Sequence, residues 1–330
     1  MISNRAEAVE YLDSLIGSGI RPGLDRMMLL LDASGHPERS VRSVLVAGTN
    51  GKGSTAAILS SIAHQAGYRV GLYTSPHLVR LEERWRVGEV PIEEEVLVAA
   101  VSRLRETASR AKLRPTYFEA LTLLAFFIFE MRECSLSILE VGMGGRLDAT
   151  NVTDPVVSVI TPIDLDHQEW LGNSIEKIAF EKLGIARSGR PLIVAPQAEA
   201  VLEVMKQRCA ELECELIDVS SAVELSDFHT GLTGSAAEIE TTRTVYRVET
   251  RLAGMHQAGN LATAVRAAEA LSEHFREIGR DEIIRGCRET KWRGRLESFR
   301  LGSRLVVVDG AHNPAGSRSA ARFIERYLPG

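Results

Sequence analysis

Cysteine is scarce in this sequence. Four residues, Cys134, Cys209, Cys214 and Cys287, are spread over 330 positions with no CxxC pair. That excludes a thiolate metal ribbon and fits reduced thiols better than a disulfide framework. Positive charge is not in excess either: 39 lysines and arginines against 44 aspartates and glutamates give a formal net charge of -5. Without a basic footprint, no nucleic-acid partner is expected. Long apolar runs are missing. The longest, Ala120 to Phe129, is interrupted by Thr122 and falls far short of the roughly 20 residues a membrane-spanning helix needs. The N-terminal MISNRAEAVEYLDSL is charged and amphipathic, unlike a signal peptide. Internal repeats and low-complexity segments are also absent. What remains is an ordinary globular composition, 45% hydrophobic and 25% charged, with length for one large domain and part of another. A cytoplasmic protein with no membrane partner is expected.

The rest of the chain is organised around Ser43 to Ser61. The β-branched, apolar Val44-Leu45-Val46 predicts a buried parallel strand. It breaks into Gly48-Thr49-Asn50-Gly51-Lys52-Gly53-Ser54 and then into a helical run from Thr55 to His64. Strand, glycine loop and helix are the context of a phosphate-binding loop, because glycines let backbone N–H groups close on an anion at a positive helix end. Lys52 can reach the outer phosphates of a nucleotide, and the Ser54 or Thr55 hydroxyl can take a Mg²⁺ ion. Gly53 intervenes between the lysine and the hydroxyls, so the match to the usual spacing is imperfect.

Around this stretch, helices are predicted over residues 4–16, 24–34, 93–110, 117–131, 175–187, 198–212, 258–275 and 281–289. Further strands are predicted over 69–73, 136–141, 155–160, 191–195 and 214–219. The alternation implies a doubly wound, mostly parallel α/β sheet, whose ligands bind at the carboxyl ends of the strands. Short alternating runs between Ser226 and Leu252 predict a small antiparallel edge sheet. Lys291 to Arg295 reads as a linker, followed by one strand at 305–308 and a final helix to Tyr327. The division expected is therefore 1–290 for an ATP-binding domain and 291–330 for linker and an incomplete second domain. A chain so divided is expected to bind ATP weakly, to form essentially no product, and to self-associate through an uncovered strand edge.

Glu140 ends a buried strand, where a carboxylate wants a metal or a cation; a salt-bridged glutamate is the plainer alternative. Asp164 to His167 follows the next strand end. Phe118 can be core packing or a ring in a ligand site, and Lys182 reads as an exposed helix charge. Arg84 and Arg86 could attract an anionic substrate or be solvated surface charges.

Taken in order, GTNGKGST at 48–55, YTSPHL at 73–78, TYFEALTLLAF at 116–126, LEVGMGGRLDATN at 139–151, LDHQEWLG at 165–172, EKLGI at 181–185, HQAGN at 256–260 and DGAHNP at 309–314 resemble the Mur ligase superfamily. Within it they are similar to folylpolyglutamate and dihydrofolate synthases. The resemblance implies an ATP-dependent ligase that joins L-glutamate to a folate, and to dihydropteroate, through an acyl phosphate, acting as a monomer when full length. Another Mur-type amino-acid ligase and a non-catalytic nucleotide-binding fragment are the alternatives.

It further implies two Mg²⁺ ions: one held by Ser75 and Glu140 with the P-loop hydroxyl of Ser54, the other by His167 and Glu140. In the family the lysine matching Lys182 is commonly carbamylated, which turns a cation into a metal-binding anion. Asn260 and Arg295 match ATP contacts, Asp309 and His312 match second-domain residues near nucleotide and incoming glutamate, and Phe118 and Asp148 fall where the family holds the pterin. The run Glu83-Arg84-Trp85-Arg86-Val87-Gly88 departs from the family's asparagine-glycine pattern.

Overall fold

The computed structural model describes residues 2–19 and 21–328. At its centre is the predicted buried strand, β1 (Arg42–Ala47), buried from Ser43 onward. Strands β2 (Val70–Tyr73), β3 (Trp85–Val87), β4 (Val90–Pro91), β5 (Leu136–Glu140), β6 (Pro155–Ile160), β7 (Pro191–Val194) and β8 (Glu215–Asp218) complete an eight-stranded sheet. Their order is β4-β3-β2-β5-β1-β6-β7-β8. From β2 across to β8 every pairing is parallel. Strands β3 and β4 add an antiparallel edge absent from the sequence reading; they are too short for a period-2 pattern to register.

The winding reverses about β1, and this positions the site. Val46 is level with Glu140 of β5 and with Val159 of β6, while Tyr73 of β2 is level with Leu139. The loops leaving four neighbouring strands therefore open side by side, at the switch point where doubly wound sheets bind ligands. Alternate β1 residues enter two different layers. Leu45 and Ala47 pack with the N-terminal helices and helix Tyr117–Met131, and Val44 and Val46 pack with helices Lys52–Gln65 and Gln257–Leu271. The leucine and the two valines are each worth about 1.5–3 kcal/mol when fully buried, so the strand ends are held firmly from both faces.

Helix ends and the segment after the linker differ from expectation, the helix expected over 258–275 stopping at Leu271, while the small antiparallel sheet lies where the alternating runs put it. The helix expected over 175–187 stops at Leu183. Beyond it the carbonyl of Gly184 accepts from Asn151 Nδ2 at 3.0 Å and from Arg187 at 3.2 Å instead of from another helical turn. The antiparallel strands β9 (Val223–Gly231), β10 (Gly234–Thr241) and β11 (Val245–Thr250) form a sheet of their own. It lays Ile239, Tyr246 and Val248 into the layer of helix Gln257–Leu271. After the linker there are two strands, not one: β12 (Glu297–Leu301) and β13 (Arg304–Val308) make a hairpin ahead of helix Pro314–Tyr327. The polar, arginine-bearing ESFRL of β12 hides its strand character. A small cluster, Leu296 and Phe323 with Ala253 and Leu232, packs this unit against the part of the chain that precedes the linker.

Candidate active site

The strand-end loops, the linker and the start of helix Pro314–Tyr327 enclose one cavity of about 940 Å³. Its floor is the P-loop. Thr49 and Asn50 donate their backbone N–H groups to Pro162 O at 3.0 and 3.2 Å, tying the loop to the end of β6. Gly51 sits at φ +89°, and a Cβ there would lie 2.4 Å from Asn260 Oδ1, so conformation and space both require glycine. Asn260 is buried and donates to Gln257 Oε1 at 2.8 Å. Lys52 begins the helix, its Nζ donating to the carbonyls of Gly48 (3.2 Å) and Thr49 (3.1 Å). Beside Gly53 a Cβ would come within 3.1 Å of the Trp292 ring. The glycine that separates Lys52 from Ser54 makes room for the linker's indole, which accounts for the irregular spacing. Ser54 lines the cavity, and the buried hydroxyl of Thr55 has no hydrogen-bond partner among the described residues.

Glu140 is buried and its Oε2 accepts the backbone N–H of Ser75 at 3.2 Å. Burial pushes its carboxyl up, opposed by Lys52, by the Ser75 N–H, and by Arg295 and Arg84. Three cationic side chains thus act on one carboxylate at the end of β5. Hydroxyls at Ser54 and Ser75 with the Glu140 carboxylate are hard oxygen donors, a set that suits Mg²⁺. His167 lies at φ +48° on an exposed loop of the cavity rim. Among the described residues no three His, Cys, Asp or Glu side chains converge as a metal cluster.

Lys182 is not the exposed helix charge its neighbours suggest. It is 3% exposed and its Nζ donates to Gly48 O at 2.7 Å, so two ammonium groups meet one P-loop carbonyl. Burial first, and Lys52 second, lower its pKa to about 7. Between that value and the ordinary 10.5 the unfolded chain binds a proton that the folded one does not, so stability should rise with pH by up to ~1.4 kcal/mol per unit. Lys182→Met should remove this slope. Denaturant unfolding at pH 7, 8 and 9 on both proteins checks it; equal slopes would mean the amine is solvated.

Asp148 also differs in character from its expected role. Its Oδ1 accepts from Thr150 N (3.0 Å) and Oγ1 (2.6 Å), and its Oδ2 from Gly142 N (3.1 Å) and Met143 N (3.0 Å). Burial pushes its carboxyl up against these four donors. A carboxylate has about four acceptor positions, so Asp148 shapes the 142–150 loop and has none left for a ligand. Phe118 is half-buried in the cavity wall, its ring 6.2 Å from that of Tyr73. Across the cavity, Asp309 accepts the backbone N–H groups of Leu296 and Ala311, both at 2.8 Å. Arg295 donates to Gly294 O at 3.0 Å, and His312 Nδ1 donates to Gly310 O at 2.9 Å.

One connection was not read from the sequence. Asn313 caps helix Pro314–Tyr327 by accepting Gly316 N, and its Nδ2 donates to Asn50 Oδ1 at 2.9 Å. The cap was legible in Asn-Pro ahead of a helix; its partner 263 residues away was not.

A P-loop at the central strand end, a buried glutamate beside it and a second α/β unit over the cavity define a Mur-type ATP-dependent ligase, and residues 46–268 match the Mur ligase middle domain. Within that class the chain belongs to the family of folylpolyglutamate and dihydrofolate synthases. It is 35% identical over 333 residues to the dihydrofolate synthase/folylpolyglutamate synthase of Bacillus subtilis, covering 99% of this chain and 77% of that protein. A solved FPGS–AMPPCP–folate complex superposes with a TM-score of 0.94 at 32% identity, over 99% of this chain and 82% of that one. E. coli FolC in complex with DHPP and ADP gives 0.88 at 33%, over 99% and 75%. No helix among the described residues is long and apolar enough to cross a membrane.

Proposed function

We propose that the cavity binds ATP at the P-loop and joins L-glutamate to the carboxylate of a folate or dihydropteroate. The observation that carries this is that Lys52, Arg295 and Arg84 line one 940 Å³ cavity with the buried Glu140 and the P-loop. Amide formation needs the carboxylate oxygen made into a leaving group, and the main barrier is repulsion between two anions. Lys52 and Arg295 lower it by neutralising the outer phosphates, and the P-loop N–H groups fix their position. Phe118 offers a face for the pterin ring, while Asp148 keeps the neighbouring loop in shape. On the opposite wall, Asp309 and His312 receive the amino acid, and Asn260 and Arg295 flank the nucleotide.

Ser54, Ser75 and Glu140 would hold one Mg²⁺, which supplies charge neutralisation between phosphates. A second ion at His167 and Glu140 does not fit the residues as they stand, since among the described residues no third His, Cys, Asp or Glu converges with them. Carbamylation of the Lys182 amine by CO₂, with release of a proton, would supply the missing anion, and a pKa of about 7 leaves that amine partly unprotonated near neutrality. In this reading residues 1–290 are the nucleotide-binding unit, and 291–330 the linker and the hairpin-and-helix unit that brings Asp309 and His312 to the glutamate. Because Arg295, Asp309 and His312 line the same cavity as the P-loop, turnover is expected of this chain, against the loss of product that its division suggested. The test is incubation with ATP, L-glutamate and either dihydropteroate or a reduced folate. ADP release that requires both organic substrates supports the reading; its absence with every pterin, or turnover only with nucleotide-linked cell-wall precursors, would sink it.

A further inference from the structure

Arg84 ends the short turn Leu81–Arg84 ahead of β3 and is only 8% exposed, yet it lines the cavity. Its Nε–H donates to His77 Nδ1 at 2.9 Å, and its guanidinium lies 5.9 Å from the centre of the Tyr117 ring. Its Nη groups have no protein acceptor among the described residues. The surrounding acids are committed elsewhere: Glu82 pairs with Arg5 at 2.5 Å, and Glu83 accepts the N–H groups of Leu78 and Arg80 at 2.8 and 2.9 Å. Glu119 pairs with Arg26 at 2.9 Å and accepts Thr116 N at 2.7 Å. Asp148 is saturated by its own loop. Among the described residues no carboxylate lies within ion-pair distance of Arg84; Glu140 acts on it only from further away and is shared with Lys52 and Arg295. A buried guanidinium so placed is costly, and its planar fork suits a carboxylate bidentately.

We infer that Arg84 is the anchor for the carboxylate of the aromatic acceptor substrate, with His77 as the residue that positions it. The inference rests on the ligase reading above. His77 accepts at Nδ1 and so is a neutral imidazole; it orients the guanidinium without neutralising it. The acceptor, not the amino acid, is the occupant because Arg84 shares its wall with Tyr117 and Phe118. The Asp309–His312 loop belongs to the hairpin-and-helix unit that follows the linker. Arg84 lines the same cavity as Glu140 and Lys52, which puts the anchored carboxylate on the side of the strand ends and the P-loop.

The experiment titrates pteroate and its carboxamide by calorimetry, with ATP present, into wild type, R84K, R84Q, H77N and H77A. Wild type should bind the acid about ten- to a hundredfold more tightly than the amide. R84Q should lose that preference with amide affinity unchanged, and R84K should keep part of it. H77N retains an acceptor for Nε–H and should preserve the preference, which H77A should weaken without changing the KM for ATP. A wild type that binds acid and amide equally would overturn the proposal without any variant. So would an R84Q enzyme that keeps the preference and instead shows a raised KM for glutamate or ATP. Failure of the ligase reading looks different: neither pteroate nor its amide binds wild type, and no ADP is released.

Discussion

Glu140→Gln should leave the chain folded and without measurable ligase turnover. The substitution keeps the side-chain volume, and an amide oxygen can still accept the Ser75 N–H that Glu140 Oε2 takes at 3.2 Å. What disappears is the negative charge that faces Lys52, Arg295 and Arg84 and that would hold Mg²⁺. Raising Mg²⁺ should restore activity only in part, since a neutral amide is a poor ligand for a hard cation. Stability should move the other way. A carboxyl held above its ordinary 4.5 by burial binds its proton more tightly folded than unfolded. The wild-type stability from that proton is present at low pH and fades as pH rises past 4.5 and through the raised folded pKa. Relative to wild type, Glu140→Gln should therefore gain in Tm between pH 4 and 8. Tm and turnover measured on the same samples separate the two roles: a structural salt bridge would give a lower Tm with the folded fraction still active.

Lys52→Ala should lower ATP turnover by at least about tenfold, the equivalent of one charge-assisted contact to the outer phosphates at roughly 1.5–3 kcal/mol. Folding should barely change. The side chain packs little apolar area and its protein partners are two carbonyls of its own loop, one of which, Gly48 O, still accepts from Lys182 at 2.7 Å. The variant has a second signature. Lys52 is the neighbour that, after burial, holds the Lys182 pKa down, so its removal should raise that pKa and shift the pH dependence of stability upward. Steady-state ATP hydrolysis and denaturant unfolding between pH 7 and 9 read both effects. Wild-type turnover would mean that this loop does not hold ATP.

Several features were fixed locally, by neighbours in sequence. The run Val44-Leu45-Val46 had to be a strand buried on both faces, and the glycines after it had to form a phosphate-binding loop running into a helix, because periodicity and positive φ are short-range properties. The spacing of strands and helices likewise carried the doubly wound sheet, and with it the expectation that strand ends hold the chemistry. The sequence could name Glu140, since a carboxylate closing an apolar run has few places to go.

Partners and solvent access were decided only by tertiary structure. Lys182 follows Phe180 by two residues, yet Phe180 is 45% exposed and Lys182 3%. Two steps along a helix turn a side chain by more than half a revolution, and which side faced the P-loop depended on where the sheet put Gly48, 134 residues earlier. Asp148 falls by resemblance where the family holds the pterin, and only the folded loop shows its carboxylate taken up by Gly142, Met143 and Thr150. Trp292 could not be paired with Gly53, nor Asn313 with Asn50, from spacing, because those contacts exist only once the linker folds back over the carboxyl ends of β1 and β5. Arg84 reads equally well as solvated charge, and only the folded chain buries it in the cavity wall without an ion-pair partner among the described residues.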